Sequence, residues 1–273
     1  MHDPTGDRMK DYERAGSGDA FDPSLPVYAR IDGRGFSRFT RGMRRPFDAR
    51  MTRAMAATAE TLLLETQCRA AYVQSDEISL VWHCPEPGSE LFFGGKPQKM
   101  VSVLAGLATA AFTKALIEDE DGLAEFLPRM PHFDARACQM PSTAEAAAMF
   151  AWRGSDARRN AIQSLARSHF SHRSLQGVST SQMLDMLSEK GIRLDAEPNG
   201  AVNGKLLTRS KARRALTEEE RAVIPAAHRP APGAQVLRTV VNCFEAAPLW
   251  RLENLEDVLF EGCAPRMTAP VAA

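Results

Sequence analysis

At 273 residues the chain has room for one large domain or two smaller ones sharing an interface, and its 44% hydrophobic content is enough to build a core. Basic and acidic residues balance at 34 each, so no global field draws the chain to a polyanion, and any phosphate binding has to come from local patches. Five cysteines, Cys68, Cys84, Cys138, Cys243 and Cys263, show no Cys-x-x-Cys spacing, which argues against a disulfide framework or a structural zinc site and for a reducing, cytoplasmic setting.

The N-terminal MHDPTGDRMKDYERAG lacks the apolar core of a secretory signal. PVYARID (26 to 32) is a β-rich run ended by Gly33, and FDARMTRAMAATAETLLLETQ (47 to 67) follows with Met51, Met55, Leu62 and Leu63 at helical spacing. AAYVQ and ISLVW are short runs of β-formers separated only by Ser75, Asp76 and Glu77, which predicts a tight hairpin with both acids at its turn. After a Pro/Gly-rich loop, residues 98 to 118 predict a second helix with Met100, Val103, Leu104, Leu107 and Ala111 on one face. Its greasy stretch carries Lys114 and is diluted by small residues, so it reads as a buried helix and not a membrane span. HFDARACQM (132 to 140) predicts another strand.

The order β-α-β-β-α-β is the split βαβ plan of ferredoxin-like sheets, shared by polymerase palms. The expectation is an α+β fold, with a palm-type catalytic domain over residues 1 to 140 and a helical, RNA-binding or oligomerising part over 141 to 273. In that second part Arg153, Arg158, Arg159, Arg167 and Arg173 cluster around a predicted helix at 156 to 175, either as a phosphate-contacting surface or, for some, as a solvated face. His169 and His172 lie three apart but have no neighbouring acid or cysteine to complete a metal site. Residues 195 to 222 read as a loop followed by a charged helix through KARRALTEEER. From about 246, Leu252, Leu255, Val258 and Leu259 have the spacing of a docking helix.

In a ferredoxin-like sheet the end of the first strand lies beside the central hairpin turn, so Asp32 is expected to meet Asp76 and Glu77. Two carboxylates about 4 Å apart repel by roughly 4 kcal/mol at an effective dielectric near 20, so three converging acids oppose folding unless cations neutralise them. Magnesium suits such oxygen ligands, and a pair of ions about 3.5 to 4 Å apart serves phosphoryl transfer. The competing reading is two ordinary turns whose acids pair with Arg30, Arg34 and Arg38. RIDGRGFSRF sets Gly33 and Gly35 just after the strand-end acid, where backbone N–H groups can approach phosphates. Lys96 and Lys99 stand at the start of the second helix, where the macrodipole disfavours cations unless an anion such as a triphosphate is present.

RIDGRGFSRF, RPFDARM, YVQSDEISLVW, the Lys96/Lys99 pair, HFDARACQMP and AWRGSDARRNAIQSL together resemble, in order, the motifs of the tRNA-histidine guanylyltransferase family and its Thg1-like relatives, over roughly residues 9 to 245. The resemblance implies an enzyme that adds nucleotides to the 5′ end of a tRNA in the 3′ to 5′ direction, with two magnesium ions and with GTP and ATP as substrates. It implies Asp32 and Asp76 as metal-bridging carboxylates, the Gly33 carbonyl as a further ligand and Glu77 as an essential acid beside them. It also implies nucleotide contacts from Asp32, Gly33, Arg34, Gly35, Phe36, Ser37, Asp48, Ser75 and Asp76, triphosphate contacts from Lys96 and Lys99, and tRNA contacts from Arg153, Arg158, Arg159, Asn160 and Arg167. Family members form tetramers, so a homotetramer with no membrane attachment is the implied assembly.

The chain departs from the family pattern where a His-x-Asn-Asn segment is usual: Arg158 takes the His place, Asn160 is retained and Ala161 replaces the second Asn. Ser37 stands where a His is common, and Arg45 replaces a Lys. These departures fit a Thg1-like protein that rebuilds truncated tRNA 5′ ends at least as well as one dedicated to tRNA(His). A palm-type nucleotide cyclase and a non-catalytic RNA-binding protein are the rival classes.

Overall fold

Alternation decides the first strand of the computed structural model, which describes Met9, residues 18–245 and residues 247–268. The run read above for a secretory signal otherwise lies outside them. In Val27–Gly33 (β1), Val27, Ala29 and Ile31 face one layer of the core and Tyr28 faces another, so the strand is covered on both sides. Ala49–Glu65 (α1) starts on Asp48, whose carboxylate accepts the Arg50 N–H, and buries Met51, Met55, Ala59, Leu62 and Leu63 along one stripe. Ala70–Gln74 (β2) and Glu77–Trp82 (β3) are buried throughout and joined by Ser75 and Asp76 alone, with Ser75 at φ 48°. Glu77 is therefore not a turn residue, as expected from the sequence, but the first residue of β3, paired with Gln74.

Pro97–Glu118 (α2) is, among the described residues, the one helix long and apolar enough to cross a membrane. It lays Met100, Leu104, Ala108, Phe112 and Leu116 on the sheet, so it is the expected core helix with one buried face, while its other side lies outward. Phe133–Gln139 (β4) completes the β-α-β-β-α-β order. Thr143–His169 (α3) begins earlier than expected because Ser142 accepts the Glu145 N–H, and it ends before residue 175. Thr180–Glu189 (α4) carries a full capping box from Ser179 and Gln182.

The expectation of a helical C-terminal part is corrected at this point. Lys205–Ala215 (β5) and Gln235–Glu245 (β6) are long strands, and of the expected charged helix through KARRALTEEER only Glu218–Ala222 is helical, with KARR inside β5. Leu206 and Leu207 enter opposite cores, a period of two that the charged residues around them mask. Leu255–Glu261 (α5) is the expected docking helix, and it lies on the body of this chain.

One six-stranded sheet results, in the order β4-β1-β3-β2-β5-β6 with every neighbouring pair antiparallel. It runs across residue 140, so both expected parts contribute to it. One face packs on α1 and α2, and the other on α3 and α5, with Tyr28 meeting Phe150 edge-on at 5.8 Å. The second half of α3 forms a third core with α4 through Ile162, Leu165, Met183 and Leu187. All five cysteines are free.

Candidate active site

Strand register gathers polar groups at one end of the sheet. Asp32 lies opposite Glu77 on one side and Asp134 on the other, while Glu77 lies opposite Gln74. The Gly33 N–H donates to the Asp76 carbonyl at 3.0 Å, which ties the end of β1 to the hairpin turn and brings Asp32 to Asp76 as expected. Gly33 has to be glycine because a Cβ there would stand 2.4 Å from the Phe36 ring. That ring is itself locked among Phe39, Phe112 and Phe133.

Burial lifts the pKa of both Asp32 and Asp76 above the usual carboxylate range. The Glu77 charge raises Asp32 further, and the Asp32 charge does the same to Asp76. Among the described residues neither acid has an ion-pair partner, so the reading in which arginines neutralise them fails for these two. Glu77 is different. Arg153 Nε donates to its Oε1 at 2.7 Å and Nη2 to its Oε2 at 2.6 Å, Gln74 Nε2 adds a bond at 3.2 Å, and Arg30 Nε lies 3.8 Å away. The three acids are near enough to feel one another's charge, but among the described residues no set of three acidic, histidine or cysteine side chains is close enough to hold a metal. Two half-buried carboxylates without cationic partners, next to the Gly33 main chain, are still a hard-oxygen set of the kind magnesium takes, since it usually keeps several waters.

A cavity of about 430 Å³ opens beside the turn, within the range of small-molecule sites. Of the expected nucleotide contacts, Phe36, Ser37, Asp48, Ser75 and Asp76 line it, and of the expected tRNA contacts, Asn160 and Arg167 do. Asp48 also accepts bonds from the Arg50 side chain and the Arg44 N–H, which hold its carboxyl down to about 2. Asp32, Gly33, Arg34 and Gly35 stand outside the cavity wall. So do Lys96 and Lys99, both exposed at the start of α2 with Lys99 Nζ over the Phe93 ring at 4.9 Å. Arg153 is not an RNA-facing residue but a buried one. Arg159 is exposed and pairs with Asp156, and Arg158 is half-buried.

Two cations on the cavity wall, Arg44 and Lys205, did not emerge from the sequence. Arg44 sits next to the recognisable RPFDAR run. Lys205 opens a strand whose pattern was obscured, and it folds over Gly200, where a Cβ would meet its Cε at 2.9 Å. Asp134, in line with Asp32, was legible only through strand register.

An antiparallel sheet that delivers paired aspartates to the rim of a cavity walled by arginine and lysine defines an α+β protein built to handle anionic ligands. The model of the tRNAHis guanylyltransferase (Thg1) family matches residues 6–141. The tRNA(His) guanylyltransferase of Schizosaccharomyces pombe is 32% identical over 157 residues, 56% of each chain. Two solved structures of bacterial tRNA(His) guanylyltransferase (Thg1)-like protein superpose with TM-scores of 0.68. The one in complex with ATP is 32% identical over 74% of this chain and 87% of its own, and the one in complex with GTP is 26% identical over 90% and 94%. The chain belongs to the Thg1 family of tRNA(His) guanylyltransferases, which are nucleotidyltransferases.

Proposed function

We propose that the chain is a 3′–5′ nucleotidyltransferase acting on tRNA 5′ ends, with a polymerase-palm type of site, two magnesium ions, and ATP and GTP as substrates. The observation that carries this reading is the Asp32–Asp76 pair, without cationic partners among the described residues and tied by the Gly33–Asp76 hydrogen bond, at the rim of the 430 Å³ cavity. Thg1-like relatives in complex with ATP and with GTP support both nucleotides.

Asp32, Asp76 and the Gly33 carbonyl would hold the magnesium ions. When bound, these supply the charge that activates an attacking oxygen and stabilises leaving pyrophosphate. Ser37, Ser75 and Asp48 orient the nucleotide in the cavity, while Arg44, Arg45 and Lys205 offer its phosphates positive charge. Arg158, Arg159, Asn160 and Arg167 lie along α3 toward the RNA. The 5′-monophosphate of the tRNA attacks the α-phosphorus of ATP and releases pyrophosphate, the 3′-hydroxyl of GTP attacks the adenylylated 5′-phosphate and displaces AMP, and water then removes the β,γ-pyrophosphate of the added nucleotide. A 5′-triphosphorylated RNA skips the activation. The protein's contribution is alignment and charge placement, with no covalent intermediate on a side chain.

Arg158 and Ala161, in place of the family's His and Asn, favour repair of truncated tRNAs over addition of G to tRNA(His) alone. Purified protein with magnesium and labelled GTP or ATP is expected to extend 5′-truncated tRNAs better than full-length tRNA(His), and Asp76→Ala to extend neither. Equal labelling by Asp76→Ala would overturn the site. A cytoplasmic homotetramer, arranged as a dimer of dimers, is the assembly proposed.

A further inference from the structure

Glu77 is the one acid of the expected trio whose carboxylate is already spent. Its Oε1 accepts from Arg153 Nε and Gln74 Nε2, its Oε2 accepts from Arg153 Nη2, and Arg30 stands on the same side. A carboxylate offers about four acceptor positions, and three are filled by donors held at good distance. Both partners are buried, Glu77 at 7% and Arg153 at 6% exposure, so the pair is shielded from exchange with water. The fork is bidentate, a geometry that fixes direction as well as distance.

What the fork joins is informative. Glu77 follows Ser75 and Asp76 without a break, at the first position of β3. Arg153 stands on α3 four residues before Ala157, and Ala157, Asn160, Ala161, Ser164 and Arg167 continue the same helical stripe along the cavity. Asp156 Oδ2 at 3.1 Å and the Trp152 ring at 4.7 Å hold the guanidinium from the helix side. The turn with Asp76 and the stripe with Asn160 and Arg167 both line one cavity, and the Glu77–Arg153 pair is a direct side-chain bridge between the two elements.

We infer that Glu77 is a positioning residue: through Arg153 it sets the spacing and register of the two elements lining the cavity, and it touches neither metal nor nucleotide. The inference rests on the nucleotide-binding reading of the cavity. It makes a demand that a reacting carboxylate does not, because removing the pair together should do less harm than removing one member. Breaking a buried ion pair strands a charge, whereas replacing both partners by apolar groups of similar volume is often neutral for the fold.

The test compares wild type with Glu77→Leu, Arg153→Met, the double variant and Glu77→Gln, reading magnesium–GTP affinity by titration, kcat on a 5′-truncated tRNA, and thermal midpoint. Each of the two single apolar variants is expected to weaken GTP about tenfold and lower kcat about a hundredfold. The double variant should regain at least tenfold in kcat over Glu77→Leu. Glu77→Gln, which keeps an acceptor for Arg153 and folds most readily, should stay within about tenfold of wild type. A folded double variant as inactive as Glu77→Leu, or a folded Glu77→Gln reduced a thousandfold, would overturn the inference and make Glu77 a reacting group. Wild type that binds GTP but extends no RNA would overturn the proposed activity alone, with GTP affinity across the same variants then deciding the role of the pair. Wild type that binds no GTP would overturn both.

Discussion

The two faces of the sheet are made by alternate residues of the same strands, yet they differ in kind. Toward α1 and α2 lie Val27, Ala29, Ile31, Ile78, Leu80 and Trp82, nearly all without exposed surface. Toward α3 the same strands present Tyr28, Arg30, Asp32, Glu77, Ser79, Tyr72 and Gln74, joined by bonds such as Tyr28 to Ser79 at 2.9 Å and Tyr72 to the Asn203 carbonyl at 2.7 Å. One face is a foundation whose worth is burial, at about 25 cal/mol per Å² of apolar surface. The other mixes apolar contacts such as Tyr28 on Phe150 with polar groups that cost stability unless paired, and among the described residues it leaves Asp32 and Asp76 without a cationic partner at its edge. The site is built where the fold can least afford it and is anchored by the face that can.

The largest effect expected from that contrast is on catalysis. Asp76→Asn should lower nucleotide transfer about a thousandfold or more, while raising the thermal midpoint in metal-free buffer because a like-charge contact with Asp32 is relieved. A fall in both would mean that Asp76 is structural. Magnesium should stabilise wild type by about 2.7 kcal/mol at a hundred times its Kd, and Asp76→Asn hardly at all, as followed by thermal unfolding.

On the foundation face, Leu62→Ala should cost about 2–5 kcal/mol in denaturant unfolding yet leave kcat of the folded protein within a few-fold of normal, because Leu62 is fully buried and does not line the cavity. Gly33→Ala tests the join between the faces. The Phe36 ring has to move, so a loss of about 1–3 kcal/mol should accompany a drop in kcat, and an unchanged protein would show the ring to be loose. The smallest effect is on acid stability. The Asp48 carboxyl is held down to about 2, below its unfolded value near 4, so the stability it contributes is full above about pH 4 and fades as the pH falls toward 2. Asp48→Asn should flatten the unfolding midpoint across that window.

The foundation was legible in the sequence, because Val27 to Ile31, Ile78 to Trp82 and the Met51 to Leu63 stripe each carry an unmixed period. The meeting of Asp32 with Asp76 was legible too, since it follows from strand order alone. The place of Glu77 was not: an acid beside Asp76 reads as turn, and only its pairing with a buried Arg153 seventy-six positions away makes a strand end tolerable for it. Arg153 looked like its neighbours Arg158 and Arg159 because a run of arginines shows charge but not which one points inward. β5 was hidden for a related reason, with KARR masking the two leucines that set its period. Lys205 and Ser75 share a cavity through tertiary approach, which no local window contains.

β5 and β6 pair at all eleven positions, whereas β2 supports β5 only from Lys205 to Thr208. The distal half of that ribbon, Ser210–Ala215 with Gln235–Val240, is thus a cantilever lacking a third strand, and two strands alone are marginal in water. Its amides should trade hydrogen for deuterium long before those of β1 and β3, so that warming unravels the molecule from this free tip inward while the reaction end stays rigid until last.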